Sequence, residues 1–200
     1  MKIIERSMSG KSLIVVDVQP EYKKFMPSKL VDNLIRYINE NFDKLHQVFF
    51  LYNGEDLGMI SEDDYKYWLL ENGLDEGIID QCQFFDKGYA FFRNIMDQGF
   101  DDDAIGVLIQ YMIKHKITDS RDMDDGDWDS YLKEKDSDVD VKEFIKDNED
   151  SIYIPELVDF LKPINNIALC GGGVDECLKE VEFVLNALKK PYELIKRYTY

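Results

Sequence analysis

Apolar positions along the chain follow two alternating rhythms. Residues 12–18, SLIVVDV, form a continuous run rich in β-branched side chains and end beside Asp17. Such a run predicts a strand buried on both faces, of the kind found in parallel sheets. Pro20 closes it. Leu30, Val31, Leu34, Ile35 and Ile38 then recur at helical spacing, with Ser28 as the expected N-cap. Residues 47–52, QVFFLY, predict a second strand, closed by Asn53-Gly54. Ser61 and Asp64 stand in capping-box spacing and predict a helix that carries Tyr65, Tyr67, Trp68 and Leu69 and stops near Gly73. Gln83-Phe84-Phe85 predicts a third, short strand. Toward the other end, Ile154 to Leu161 reads as helix and residues 165–170, NNIALC, as another buried strand. Gly171-Gly172-Gly173 follows, then a helix from about Val174 to Lys190, then a last strand over residues 192–199, YELIKRYT.

Strand and helix in alternation imply βαβ units. The expected fold is α/β, a three-layer α/β/α sandwich around a mostly parallel sheet, formed by one domain over residues 1–200. Chemistry in such sheets gathers at the carboxyl ends of the strands. Asp17, Lys87 and the glycine triplet all fall at or just past predicted strand ends. One segment departs from the rhythm. Residues 101–150 hold 17 Asp+Glu against 7 Lys+Arg, and apart from a helical stripe over Ala104 to Lys116 they carry few apolar side chains. This segment reads as an acidic, partly helical insertion.

Composition narrows the partners. The chain has 200 residues and a formal net charge of −17. A surface this acidic repels phosphate backbones and anionic lipid, so neither nucleic acid nor membrane is expected as a partner. Three cysteines make no disulfide framework and suit a reducing compartment. No apolar run approaches the ~18 residues of a membrane span, and MKIIERSMSGKS has no apolar h-region. The expected location is cytoplasmic.

Several groups could carry chemistry. A strand, three glycines and a helix place backbone N–H groups where they can converge on an anion; a tight turn needing positive φ accounts for the glycines equally well. Cys177 falls in the first turn of the following helix, where the helix dipole favours a thiolate, although a free cysteine is also a common small core residue. Asp17 is a carboxylate at the end of an apolar strand and calls for a compensating cation. Lys87 can supply one, or can be an ordinary surface lysine. Ser9-Gly10-Lys11-Ser12 lacks the first glycine of a P-loop, since Glu5 stands there, and it precedes a strand. His46 and His115 have no metal-ligand spacing, and the acidic segment fails the EF-hand pattern at Arg121 and Met123. No metal and no cofactor are expected.

Three separated pieces together resemble the isochorismatase-like cysteine hydrolases, relatives of the nicotinamidases. LIVVDVQPEY is similar to that family's apolar strand ending in D-x-Q-x-x-F, with Asp17 and Gln19 matching and Tyr22 in place of Phe. DKGYAFF resembles the segment around the family lysine, which places Lys87. IALCGGGVDECL resembles the strand followed by G-x-x-T-D-x-C-V, with Gly171, Asp175 and Cys177 matching, Val174 in place of Thr and Leu178 in place of Val. The pieces occur in the family's order and cover roughly residues 10–100 and 151–200.

The resemblance implies a catalytic triad of Asp17, Lys87 and Cys177 that cleaves a small amide or related C–N bond through a thioester. It implies a cis peptide at Gly172–Gly173, an oxyanion hole from the N–H groups of Gly173 and Cys177, and substrate-binding roles for Gly172, Gly173, Gln19 and Tyr22. Members are often homo-oligomers. Nicotinamidases carry a metal-binding Asp and paired His after the second strand; LYNGEDLGMI has no histidine there, which argues against a metal and against nicotinamide as substrate. Two other readings stand beside the hydrolase: a catalytically idle relative that binds a protein through its acidic insertion, and a phosphate or nucleotide binder using the glycine triplet.

Overall fold

The computed structural model describes residues 10–55, 58–87, 102–116 and 155–200. They fall into two compact units. The first takes the described residues within Met1–Tyr89, Ile164–Lys179 and Pro191–Tyr200; the second takes those within Ala90–Pro163 and Glu180–Lys190.

The first unit is built on a five-stranded, all-parallel sheet in the order β3-β2-β1-β4-β5. The strands are β1 (Lys11–Val16), β2 (Leu45–Tyr52), β3 (Gln83–Asp86), β4 (Ile167–Gly171) and β5 (Tyr192–Thr199). Together with its crossover helices this is an α/β fold. β1 is central: Val15 faces Phe50 of β2 on one side and Cys170 of β4 on the other. Its apolar run is continuous because Leu13, Ile14, Val15 and Val16 are all fully buried, whichever face they take.

Two crossovers, β1 to β2 and β2 to β3, lay their helices on one face. The first is α1 (Leu30–Asn41), whose buried stripe is Leu30, Val31, Leu34, Ile35 and Ile38. Its N-cap is Lys29, not the expected Ser28, and no side chain caps it. The reason is local: Leu30 N–H donates to the carbonyl of Pro27, so a turn at Pro27 feeds the helix one residue later. The second is α2 (Glu62–Glu71), followed by the short α3 (Glu76–Ile79). Ser61 caps α2 as expected. Its hydroxyl accepts from Asp64 N–H at 3.1 Å and donates to the Asp64 carboxylate at 2.8 Å.

The core on this face joins Leu13, Val15, Val48, Phe50, Ala168 and Cys170 of the sheet to Leu34, Ile38, Tyr65 and Leu69 of the helices. Tyr65 is its centre. The ring meets Phe50 and Phe84 edge-on, and the hydroxyl donates to the Val18 carbonyl at 2.8 Å, the partner that a buried phenol requires. β5 is tied in where Tyr198 packs on Tyr37 under the Arg197 guanidinium.

In the second unit the described elements are α4 (Asp102–His115), α5 (Pro155–Leu161) and most of α6 (Cys177–Ala187). Ile109, Tyr111, Leu157, Val158, Leu161, Val181, Val184 and Leu185 are buried. Apart from α4, the acidic segment lies outside the described residues, as does residue 154, where a helix was expected to begin. Among the described residues, no helix is long and apolar enough to cross a membrane.

Candidate active site

The order of the strands sets the place. β1 connects toward β2 and β3, while its other neighbour, β4, leads to β5. The carboxyl ends of β1 and β4 therefore form a topological switch point, where open α/β sheets leave a crevice. Asp17 follows β1 directly, and Gly171 ends β4 with Gly172 and Gly173 just after it.

Asp17 adopts φ 51°, the left-handed region that costs a non-glycine residue about 1 kcal/mol or more. Its main chain is held there on both sides. The N–H donates to the Leu51 carbonyl at 2.8 Å. The carbonyl accepts from Gln19 N–H at 3.0 Å and from the Tyr200 hydroxyl at 2.8 Å. The side chain is buried, and Lys87 Nζ stands 3.0 Å from Asp17 Oδ2 with both side chains 2% exposed. The expected cation is thus in place. The contact is an ion pair set off the line of a hydrogen bond, so both Asp17 carboxylate oxygens lack a hydrogen-bond donor among the described residues. A buried carboxylate in that condition has capacity for a further donor.

Lys87 extends β3. Its N–H donates to the Tyr52 carbonyl at 2.9 Å, in continuation of the β2–β3 pairing. Its ammonium also donates to Asn53 Oδ1 at 3.1 Å. Asn53, fully buried, is the junction of the site. Its Nδ2 donates to the Tyr22 hydroxyl at 2.7 Å. Its main chain makes a reciprocal pair with Gln19: Asn53 N–H donates to Gln19 Oε1 at 2.9 Å, and Gln19 Nε2 donates to the Asn53 carbonyl at 3.1 Å. Gln19 is therefore a brace between the ends of β1 and β2. Tyr22, half-buried, donates in turn to Met59 Sδ at 3.4 Å. Asn53, Met59 and Tyr200 were not foreseen; Asn53-Gly54 read only as a turn.

The elbow after β4 carries the cysteine. Gly171 has φ 122°, and a β-carbon there would lie 2.0 Å from the Val16 carbonyl oxygen; only glycine lets β4 end so close to β1. Gly173 has φ 65°. No peptide bond among the described residues is cis, so Gly172–Gly173 is trans, contrary to what the resemblance implies. The positive φ values of the flanking glycines make the turn without it. Residues 174–176 also form a turn, and α6 begins at Cys177, later than the expected Val174. Val174 N–H is drawn aside to the Tyr200 carbonyl, while Glu176 N–H donates to Gly173 O and Leu178 N–H to the Gly172 and Gly173 carbonyls. Gly173 N–H has no acceptor among the described residues.

Cys177 is half-buried at the first position of α6. Asp17 and Cys177 act on the same two tyrosines. Tyr22 is pushed up to about 12, chiefly by burial; the Asn53 hydrogen bond opposes this, the charges of Asp17 and Cys177 reinforce it, and Lys87 opposes it. Tyr200 is pushed up by burial first, then by Asp17, Cys177 and Tyr22. The other cysteines differ. Cys170 is fully buried, and burial pushes its thiol up to about 12. Cys82 Sγ donates to the Ile78 carbonyl at 3.3 Å.

Among the described residues, no group of three or more His, Cys, Asp and Glu side chains is gathered as metal ligands would be. Compared with protein-family models, curated proteins and solved structures, the chain matches none.

Proposed function

We propose that the chain is a cysteine hydrolase that cleaves a small amide or related C–N bond, with Cys177 as nucleophile, Asp17 as proton carrier and Lys87 as counter-charge. The observation that supports this best is the buried Asp17–Lys87 pair, whose carboxylate oxygens await a donor at the switch point shared with the Cys177 elbow. A carboxylate without a hydrogen-bond donor, at the same switch point as a thiol at a helix N-terminus, is equipped to take the thiol proton.

The steps follow from that arrangement. Asp17 accepts the proton of Cys177, and the sulfur attacks the carbonyl carbon. The carbonyl oxygen becomes an oxyanion, received by the N–H groups of Gly173 and Cys177. The C–N bond breaks as the oxyanion collapses to a thioester, and Asp17 passes its proton to the departing amine. Water then attacks the thioester. Asp17 takes a proton from that water, the C–S bond breaks, and the acid leaves while the thiol is restored. Lys87 stays protonated throughout and offsets the negative charge that passes between Asp17 and Cys177. A single oxyanion donor is worth ~10²–10³ in rate, so the Gly173 turn matters alongside the triad. A nucleophile that must remain a thiol fits a reducing, cytoplasmic setting.

The test is iodoacetamide at neutral pH with peptide mapping of the three cysteines. Cys177 should be modified far faster than Cys82, and Cys170 should stay protected. A panel of small primary amides then identifies substrates, and Cys177→Ser and Asp17→Asn should each remove turnover. Slow modification of Cys177 at the rate of Cys82 would refute the assignment.

A further inference from the structure

Tyr200 lies outside the three groups of the proposed triad, yet it touches the segments that carry two of them. Its hydroxyl donates to the Asp17 carbonyl at 2.8 Å. Its N–H donates to the Gly171 carbonyl at 3.2 Å, and its own carbonyl accepts from Val174 N–H at 3.2 Å. Its ring lies so close over Gly172 that a β-carbon there would fall 1.9 Å from Tyr200 Cζ. One residue thus grips the left-handed backbone of Asp17 with its side chain and both ends of the glycine elbow with its main chain.

We infer that Tyr200 is a positioning residue, which sets the spacing and register between the Asp17 carboxylate and the Cys177 thiol by clamping the end of β1 to the β4–α6 elbow. The inference rests on the proposed Asp17–Lys87–Cys177 reading and extends it. Asp17 at φ 51° relaxes toward an ordinary conformation unless its surroundings hold it. Gln19 N–H and the Tyr200 hydroxyl share that carbonyl, and of these two the Tyr200 bond is the one that reaches the elbow, one residue beyond the Gly172 N–H bond to the Val16 carbonyl. Without the hydroxyl, one hold on the Asp17 carbonyl is lost and the carboxylate can shift relative to the sulfur, while the Asp17 N–H bond to Leu51, the Gly172 N–H bond to the Val16 carbonyl and the main-chain bonds of Tyr200 keep the sheet closed. The geometry also explains Gly172: the ring can lie against the elbow only where no side chain stands.

Tyr200→Phe removes the hydroxyl and keeps the ring, and Tyr200→Ala removes both. Tyr198→Phe, on the strand that Tyr200 follows but packed against Tyr37, serves as the control. The readouts are iodoacetamide modification of Cys177 and Cys170, and the far-ultraviolet thiolate absorbance measured against Cys177→Ser. Tyr200→Phe should slow Cys177 modification about fivefold, the weight of one neutral hydrogen bond, and should shrink the thiolate signal. Tyr200→Ala should slow it about tenfold or more, and Tyr198→Phe should match the parent. Cys170 should remain protected in Tyr200→Phe, because a general loosening of the sheet would expose it. Parental reactivity and thiolate signal in Tyr200→Phe overturn the inference, as does slowing accompanied by exposure of Cys170. A parent protein in which Cys177 reacts no faster than Cys82 is a different failure: it removes the hydrolase reading, and the clamp with it.

Discussion

Asn53→Ala tests whether the site is held by its polar junction or merely decorated by it. The substitution deletes two side-chain bonds. Oδ1 no longer accepts from Lys87 Nζ, and Nδ2 no longer donates to the Tyr22 hydroxyl. The two bonds with Gln19 survive, because both use the main chain of Asn53. A hydrogen bond to a buried charge is worth about 1.5–3 kcal/mol and a neutral one about 0.5–1.5 kcal/mol, so the loss should be about 2–4 kcal/mol. For a chain of this length that corresponds to a fall of about 5–15 °C in melting temperature. Urea unfolding followed by far-ultraviolet circular dichroism measures it, with the slope checked for a change in the unfolded state. Asn39→Ala is the matched control: its partly exposed amide also makes two bonds, donating to the Gly73 carbonyl at 2.8 Å and accepting from Asp75 N–H at 3.2 Å, neither to a charge, and their loss should cost about 1–2 kcal/mol. If Asn53→Ala were no more costly than Asn39→Ala, the Asn53 amide would add nothing to the hold on Lys87 and the junction argument would be wrong.

Two further expectations follow from the same geometry. Gly172→Ala forces a methyl into the Tyr200 ring and should destabilise the fold by about 1–3 kcal/mol; a melting temperature equal to the parent's would contradict the close packing of that ring. Alkaline pH should unfold the protein early. Burial pushes Tyr22 and Tyr52 from 10.0 to about 12 and Cys170 from 9.0 to about 12, and Tyr65 also lies well above its ordinary value. These groups ionise more readily in the unfolded chain, so the stability they contribute is complete below their unfolded values and is lost as pH rises through the folded ones. Melting temperature should therefore decline from about pH 9–10 and fall steeply toward 12, and a flat profile over that window would argue against the burial.

β1, β2 and β4 were legible because their apolar runs are continuous and rich in β-branched or aromatic side chains. Residues 192–199 were read as a strand with the bounds that β5 shows. Asp17 and Lys87 could be singled out because topology alone puts strand ends together, and the structure brings them to 3.0 Å. Asn53 could not. Its dipeptide with Gly54 is a common turn, and its role depends on β2 lying between β1 and β3, which is what seats its amide between the Asp17 and Lys87 segments. Ser28 failed as a cap for a comparable reason: the Pro27 carbonyl took the N–H of Leu30. Tyr200 carried no signal either, because a tyrosine following a half-polar strand reads as edge decoration until its neighbours are known.

The placement of β1 bears on how the protein is made. β1 meets β2 after one short crossover, but its other neighbour, β4, is synthesised only after the acidic segment. Until then one side of a strand with four consecutive apolar residues, Leu13 to Val16, has unpaired N–H and C=O groups, a template for pairing with another chain. Joining elements so distant along the chain is slow. A half-built sheet of this kind exposes that edge, and the dense negative charge of the intervening stretch opposes association between chains that carry it.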